Sequence, residues 1–319
     1  MTVDGVVLVV TASDDPAADL VVDVLNERRV PLVRLDPDDF PHSLDLAAEL
    51  GPRGLGGTVT PAHTELPADN VRSVYWRRPS AYTAPPGMDD QDARWVIDQS
   101  RWGLGGVLAC LPGALYLNHP WRNRDAESKP AQLAGASACG LAIPPTLITN
   151  QPDRARAFAR HHAPIVYKPL WPSRYHAPDG TGRAIWVRPV DPSELDASVA
   201  GAAHLFQACV DKDADIRLTA VGDRAFAVRI DGAPVLDWRE DYSRLTYTPV
   251  ATPKPVVEAV RAYLARFNLS FGVFDFALDR TGQWIFLECN PNGQWSWFPD
   301  HITAPITHAL ADLLQKGRR

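Results

Sequence analysis

Cysteine is scarce. Four residues, Cys110, Cys139, Cys209 and Cys289, stand singly in a chain of 319, with no Cys-x-x-Cys and no close histidine. That argues against a disulfide framework and a structural zinc site, and it points to a reducing compartment. A basic excess is also missing: 32 Lys and Arg face 38 Asp and Glu, a formal charge of −6. Neither a nucleic-acid footprint nor a polybasic membrane patch fits that balance. The opening Met1-Thr2-Val3-Asp4-Gly5 has no basic stretch of a signal peptide. The long uncharged run from Trp102 to Trp121 is broken by glycines, Pro112 and Pro120. It reads as a buried helix, a turn and a short strand rather than a membrane span. A cytoplasmic location is expected.

What is present is an ordinary globular composition, 45% hydrophobic and 22% charged, with 29 prolines that punctuate many loops. The length suggests two or three folded modules. Val6–Thr11, Pro31–Leu35 and Val71–Trp76 read as strands. A helix opens at Asp14 or Asp15 with the stripe Leu20, Val21, Val24 and Leu25, and Gln91–Leu111 reads as a long helix. This alternation predicts a parallel α/β sheet. No Gly-x-Gly-x-x-Gly follows the first strand, and the glycine-rich Gly51–Gly57 reads as a loop. Asn118-His119-Pro120-Trp121 reads as a linker. Beyond it, Ile165–Lys168, Ala184–Val187, His204–Val210, Ile216–Val221 and Ala225–Ile230 read as strands and Pro255–Phe267 as an amphipathic helix. Phe271–Leu278 and Trp284–Glu288 make a hairpin across Asp279-Arg280-Thr281-Gly282.

The strongest chemical signal lies in that hairpin. Side chains alternate along a strand, so Asp275 points away from the flanking Phe274 and Phe276. Asp275 and Glu288 can share a face, with Asn290 two residues further along it. Two carboxylates and an amide oxygen are hard ligands that suit Mg²⁺. Two solvated strand carboxylates are the plain alternative, which the apolar surroundings weaken. Magnesium of this kind works with phosphates, and Lys129 and Lys168, the latter ending an apolar strand, are the candidate contacts. A surface lysine that merely snorkels is the alternative for each. Trp171–Arg183, with Asp179-Gly180-Thr181-Gly182, could form a flap over phosphates. In residues 205–217, Ala208–Val210 could offer backbone contacts to an adenine and Asp215 could accept from a ribose.

The ordered set Lys129, Lys168, the flap, Gln207–Val210, Asp215/Arg217, Asp275 and Glu288-x-Asn290 resembles the ATP-grasp superfamily. The resemblance implies an α/β protein in which two α+β lobes clamp ATP behind an N-terminal pre-ATP-grasp α/β domain. Its modules would be 1–120, 121–206 and 207–319. Tyr75-Trp76-Arg77-Arg78-Pro79, Asp237-Trp238-Arg239 and Leu287–Trp295 look like the graspetide (microviridin-type) peptide maturases of that superfamily, and the composition looks like their actinobacterial branch. Such enzymes use ATP and Mg²⁺ to join Asp or Glu side chains of a ribosomal precursor peptide, which carries a leader, to Ser/Thr hydroxyls or Lys amines. The flap departs from the pattern, being short of glycine and carrying Arg174, Tyr175 and His176.

The resemblance further implies Mg²⁺ on Asp275, Glu288 and Asn290, and a nucleotide held by Lys129, Lys168, Gln207, Ala208, Val210 and Asp215. Arg217 and Arg229, on adjacent strands, would stabilise an acyl phosphate, with surface ion pairing as their alternative. Arg239 would bind the acceptor carboxylate, and Asp237 would orient it or take the nucleophile's proton. Trp295 and Trp297 could meet the leader or simply fill a core. A homodimer and an isoaspartyl-type methyltransferase acting on the product are further expectations. The competing readings are a ligase adding an amino acid to a protein tail or small molecule, and a non-catalytic ATP-binding regulator.

Overall fold

The computed structural model describes residues 5–61, 64–171, 175–176, 179–183, 185–233 and 236–317. The first sheet is parallel, in the order Leu32–Leu35, Val6–Val10, Val71–Trp76, Leu115–Leu117. Its central strand Val6–Val10 is apolar on both faces, as a sheet covered on each side requires. The following helix, Pro16–Glu27, is capped by Asp15, whose Oδ1 accepts from the N–H of Ala17 at 3.1 Å. Its buried face is Ala17, Ala18, Val21 and Leu25. Leu20, expected in that stripe, lies a quarter-turn away and is exposed.

Gly51–Gly57 is not a loop throughout. Leu44–Gly51 and Gly54–Pro61 form an antiparallel hairpin that Leu66–Pro67 extends to a three-stranded sheet. The glycines serve the strand rather than break it: at Gly57 (φ +104°) a Cβ would stand 2.0 Å from the carbonyl oxygen of Ala47.

Two antiparallel sheets follow. The smaller runs Arg188–Val190, Ile165–Lys168, His204–Ala208, Thr146–Thr149, with helix Pro152–His162 packed on it. The edge strand therefore lies at Arg188–Val190, and an edge tolerates Pro189; of the expected strand Ala184–Val187, residues 185–187 form none and Ala184 lies outside the described residues. The larger sheet runs Thr246–Val250, Arg224–Asp231, Lys212–Val221, Phe271–Asp279, Trp284–Asn290. Phe274, Phe276 and Phe286 lie on one face in a core shared with helix Lys254–Phe267, while Asp275 takes the other.

Asn118–Trp121 is a junction rather than a loose linker. Buried Asn118 donates to the carbonyls of Phe271 (2.9 Å) and Pro291 (2.8 Å) and accepts from the N–H of Ser270 (2.7 Å) and Phe271 (3.0 Å). Helix Pro120–Ala126 starts at once beyond it. Val7 and Val9 of the first sheet share a core with Phe271, Trp295, Ile306 and Leu310. The N-terminal unit is thus fixed against the sheet that carries the carboxylates. Among the described residues no helix is long and apolar enough to cross a membrane.

Candidate active site

A cleft of about 340 Å³ opens between the two antiparallel sheets. The register places Asp275 directly opposite Glu288, and Asn290 lies two residues further along. Both carboxylates and Asn290 line the cleft with Lys129, Lys168, Asp215, Asp237 and Arg239. Lys129 opens helix Lys129–Ala138 and its Nζ lies 2.8 Å from Glu288 Oε2. Arg239 Nη2 donates to Glu288 Oε1 at 2.7 Å and also to Asp275 Oδ2. Burial alone would push the Glu288 carboxyl up, but Lys129 and Arg239 hold it well below the usual range. At Lys168 burial prevails instead: it lowers the ammonium to about 8, against the raising influence of Glu288.

These residues fit a magnesium–nucleotide site. Two carboxylates and one amide provide the few protein ligands that Mg²⁺ takes when phosphates complete its shell. Asn290 Nδ2 lies 3.4 Å from both Asp275 Oδ2 and Glu288 Oε1. An amide flip would turn its oxygen to the same point without moving the backbone. Among the described residues no group of three or more His, Cys, Asp or Glu gathers as a metal site, so the set depends on that amide.

The adenine-side candidates Gln207, Ala208 and Val210 also line the cleft, at the end of strand His204–Ala208. The side chain of Gln207 is already bonded to Thr146 Oγ1 at 2.8 Å, and its backbone lies between the strands of Thr146 and Val166. Asp215 is buried, and burial raises its carboxyl despite Lys212, whose Nζ lies 2.6 Å away. Lys212 also donates to the Leu236 carbonyl at 2.7 Å and lines the cleft. Sequence reading passed over it; the signal was Lys212-x-x-Asp215 on a strand, where a bulge between Lys212 and Ala214 brings both to one side. Of the flap, residues 172–174, Arg174 among them, and 177–178 lie outside the described residues, whereas Tyr175–His176 pairs with Gly182–Arg183.

The arginines divide. Arg217 faces Asp275 across the ladder, with its Nη1 2.6 Å from Asp275 Oδ1 and its Nη2 donating to the Gln294 carbonyl at 2.7 Å. Its guanidinium packs 4.8 Å from the Trp297 ring and 5.5 Å from Trp238. Arg217 therefore grips Asp275 from beneath the cleft. Arg229 does not join it. Arg229 stands opposite Ile216, on the face of the sheet that Arg217 avoids, and its guanidinium is held by Asp213 (2.8 Å) and Asp231 (2.7 Å). Adjacent strands are not enough when neighbouring residues alternate faces.

Asp237 caps the turn Trp238–Glu240 by accepting from the Arg239 N–H at 3.1 Å, which sets Arg239 over the cleft. Trp295 is fully buried in the core, so it is no exposed leader contact, and Trp297 stacks on Trp238. The Tyr75–Pro79 segment meets the site from below. Arg77 donates to the Asn292 carbonyl at 2.7 Å and to Gln294 Oε1, in the loop directly after the metal strand.

Residues 6–124 match the MvdD pre-ATP grasp domain. Over 98% of this chain and 100% of the other, the structure resembles macrocyclase MdnC bound with precursor peptide MdnA from Microcystis aeruginosa, with a TM-score of 0.85 and 27% identity. The N-terminal unit thus matches an MvdD-type pre-ATP-grasp domain, and the chain as a whole has the fold of these ligases. The macrocyclase MdnB from the same organism is also 27% identical, with a TM-score of 0.78 over 97% of this chain and 99% of the other. A RiPP-associated ATP-grasp ligase of Chryseobacterium gregarium, in complex with ADP and a leader and core peptide, shares the fold with a TM-score of 0.89 at 22% identity. That match covers 99% and 98% of the two chains. No curated protein matches the sequence.

Proposed function

We propose that the protein is an ATP-dependent ligase that macrocyclises a ribosomal precursor peptide. It joins Asp or Glu side chains to Thr/Ser hydroxyls or Lys amines. The observation that carries this reading is one cleft holding two lysines, two paired carboxylates and a guanidinium, in a chain that aligns end to end with a precursor-bound macrocyclase. The modules 1–120, 121–206 and 207–319 divide the work: the last two enclose the nucleotide, and the first braces the metal strand.

Carboxylates acylate poorly, so one must first be phosphorylated. Asp275, Glu288 and Asn290 would hold Mg²⁺, which would supply positive charge to offset that of the transferring phosphoryl group. Lys129 and Lys168 place point charges on the phosphates, and the backbone of Ala208–Val210 receives the adenine. Asp215, with Lys212, faces the ribose. Arg217 keeps Asp275 aimed. Arg239 orients the acceptor carboxylate for attack on the γ-phosphate. The hydroxyl or amine then displaces phosphate from the acyl phosphate, and Asp237 is placed to take its proton.

Esters are favoured over amides. The same reading expects a leader-bearing substrate, a homodimer, a cytoplasmic location and an isoaspartyl-type methyltransferase acting on the product. Mass spectrometry of a neighbouring Thr- and Asp/Glu-rich precursor after incubation with ATP and Mg²⁺ tests it. A loss of about 18 Da per crosslink, reversed by mild base, marks esters, and a base-stable loss marks amides. A gain of glutamate mass would move the assignment to an amino-acid-adding ligase.

A further inference from the structure

The oxygens that would meet a divalent cation are already bonded to a cation of the chain itself. One nitrogen, Arg239 Nη2, donates to Glu288 Oε1 at 2.7 Å and to Asp275 Oδ2, the same two atoms that Asn290 approaches at 3.4 Å. The remaining oxygens of the pair are held by Lys129 (Glu288 Oε2, 2.8 Å) and Arg217 (Asp275 Oδ1, 2.6 Å). Arg239 also has partners outside the pair. Its Nη1 lies 3.2 and 3.3 Å from the two oxygens of Asp237, and its guanidinium carbon lies 5.2 Å from the Trp238 ring centre.

We propose that Arg239 is a resident counter-cation that competes with the divalent metal for Asp275 Oδ2 and Glu288 Oε1. Loading the metal-bound nucleotide releases its guanidinium toward the carboxylate to be activated. This rests on the metal assignment made above. Arg239 Nη2 fills the position between those two oxygens, so an ion that bridges them must displace it, and the two cations repel one another at that range. Five cations (Lys129, Lys168, Lys212, Arg217 and Arg239) surround four carboxylates (Asp215, Asp237, Asp275 and Glu288), so the cleft without phosphates disfavours a metal ion. Nucleotide phosphates reverse that balance, and whatever draws Arg239 onto Asp237 or a substrate carboxylate tightens the metal by linkage. The device orders events: the arginine that aims the acceptor is freed only once the phosphoryl donor is in place.

Mn²⁺ titrated into the nucleotide-free full chain, with free ion read by electron paramagnetic resonance, tests the competition apart from turnover. Arg239→Gln should bind Mn²⁺ about tenfold more tightly than the parent protein. Lys168→Gln removes the same charge from the same cleft without removing a bond to either carboxylate, and should gain less than about threefold. Equal gains in the two variants, or an unchanged Arg239→Gln affinity, overturn the proposal. Adding Glu288→Gln to Arg239→Gln should abolish the gain. If the gain survives, the ion sits elsewhere and the metal assignment itself falls. Should Arg239→Gln fail to fold, Arg239→Met decides: it keeps an apolar stem of similar reach against Trp238 and no charge, so Mn²⁺ still tightens, and an affinity equal to the parent's overturns the proposal.

Discussion

Lys129 and Glu288, 159 residues apart in sequence, meet at 2.8 Å in the cleft. The first turn of one helix thus presents a cation to the last strand of the large sheet, and a third charge, Arg239, closes on the same carboxylate. Two cations on one buried carboxyl keep it ionised, which a metal ligand needs.

Glu288→Gln removes that charge while preserving shape. It should lower ATP-dependent crosslinking by about 10²–10³-fold, the scale of losing one preorganised electrostatic contact. ADP release and product mass measured together check it. Near-normal turnover by the folded variant with Mg²⁺ present would remove Glu288 from the metal site.

Arg229→Ala serves as the contrast. Its partners are Asp213 and Asp231 on the far face of the sheet, and the cluster is partly exposed. Exposed pairs of this kind contribute about 0.2–1 kcal/mol. The variant should keep parent turnover within about twofold and melt within a few degrees of the parent protein. A hundredfold loss of turnover would return Arg229 to the catalytic set.

Much of this architecture was legible where one period governs a segment. Val6–Val10 is an unbroken apolar run, and the Asp275/Glu288 pairing follows from alternation across a hairpin. Reading failed where a distant partner decides. Gly54–Pro61 is a strand because Leu44–Gly51 pairs with it, a fact its glycines hide. Arg229 and Arg217 look equivalent until the register shows that Arg229 faces Ile216's side. Asn118 reads as linker because its four hydrogen bonds go to residues more than 150 positions away. Lys212 became visible only through a bulge.

The brace between the N-terminal unit and the metal strand makes a stability prediction. Arg77 is 1% exposed, and Asp15 approaches its Nε at 3.7 Å. Its removal leaves the Asn292 carbonyl, Gln294 and Asp15 short of a partner in the interior. Arg77→Ala should destabilise by about 3–5 kcal/mol, as stranded buried charge and polar groups do. Chemical denaturation at equilibrium measures this. A change below about 1 kcal/mol would mean that Arg77 adds little to the brace.

Lys168 yields a paired prediction in pH. Burial lowers its ammonium from 10.5 to about 8, even with Glu288 nearby to raise it. Holding that charge therefore weakens the fold at neutral pH. Both folded and unfolded chains carry the proton below about 8, so the full penalty is present there. Between about 8 and 10.5 the unfolded chain binds more protons, and stability from this group rises with pH. Lys168→Met removes the penalty and should raise the melting temperature at pH 7 by a few degrees, with the difference shrinking as pH climbs through that window. Nucleotide binding should show the opposite sign. Phosphates need the ammonium, so above about pH 8 binding must take up a proton, and ADP affinity should fall toward tenfold per pH unit. Calorimetric titration of ADP between pH 7 and 9.5, in buffers of different ionisation enthalpy, reads the proton uptake directly. A flat affinity across that range, or a Met variant that melts lower than the parent protein at pH 7, would mean that Lys168 carries no such strain.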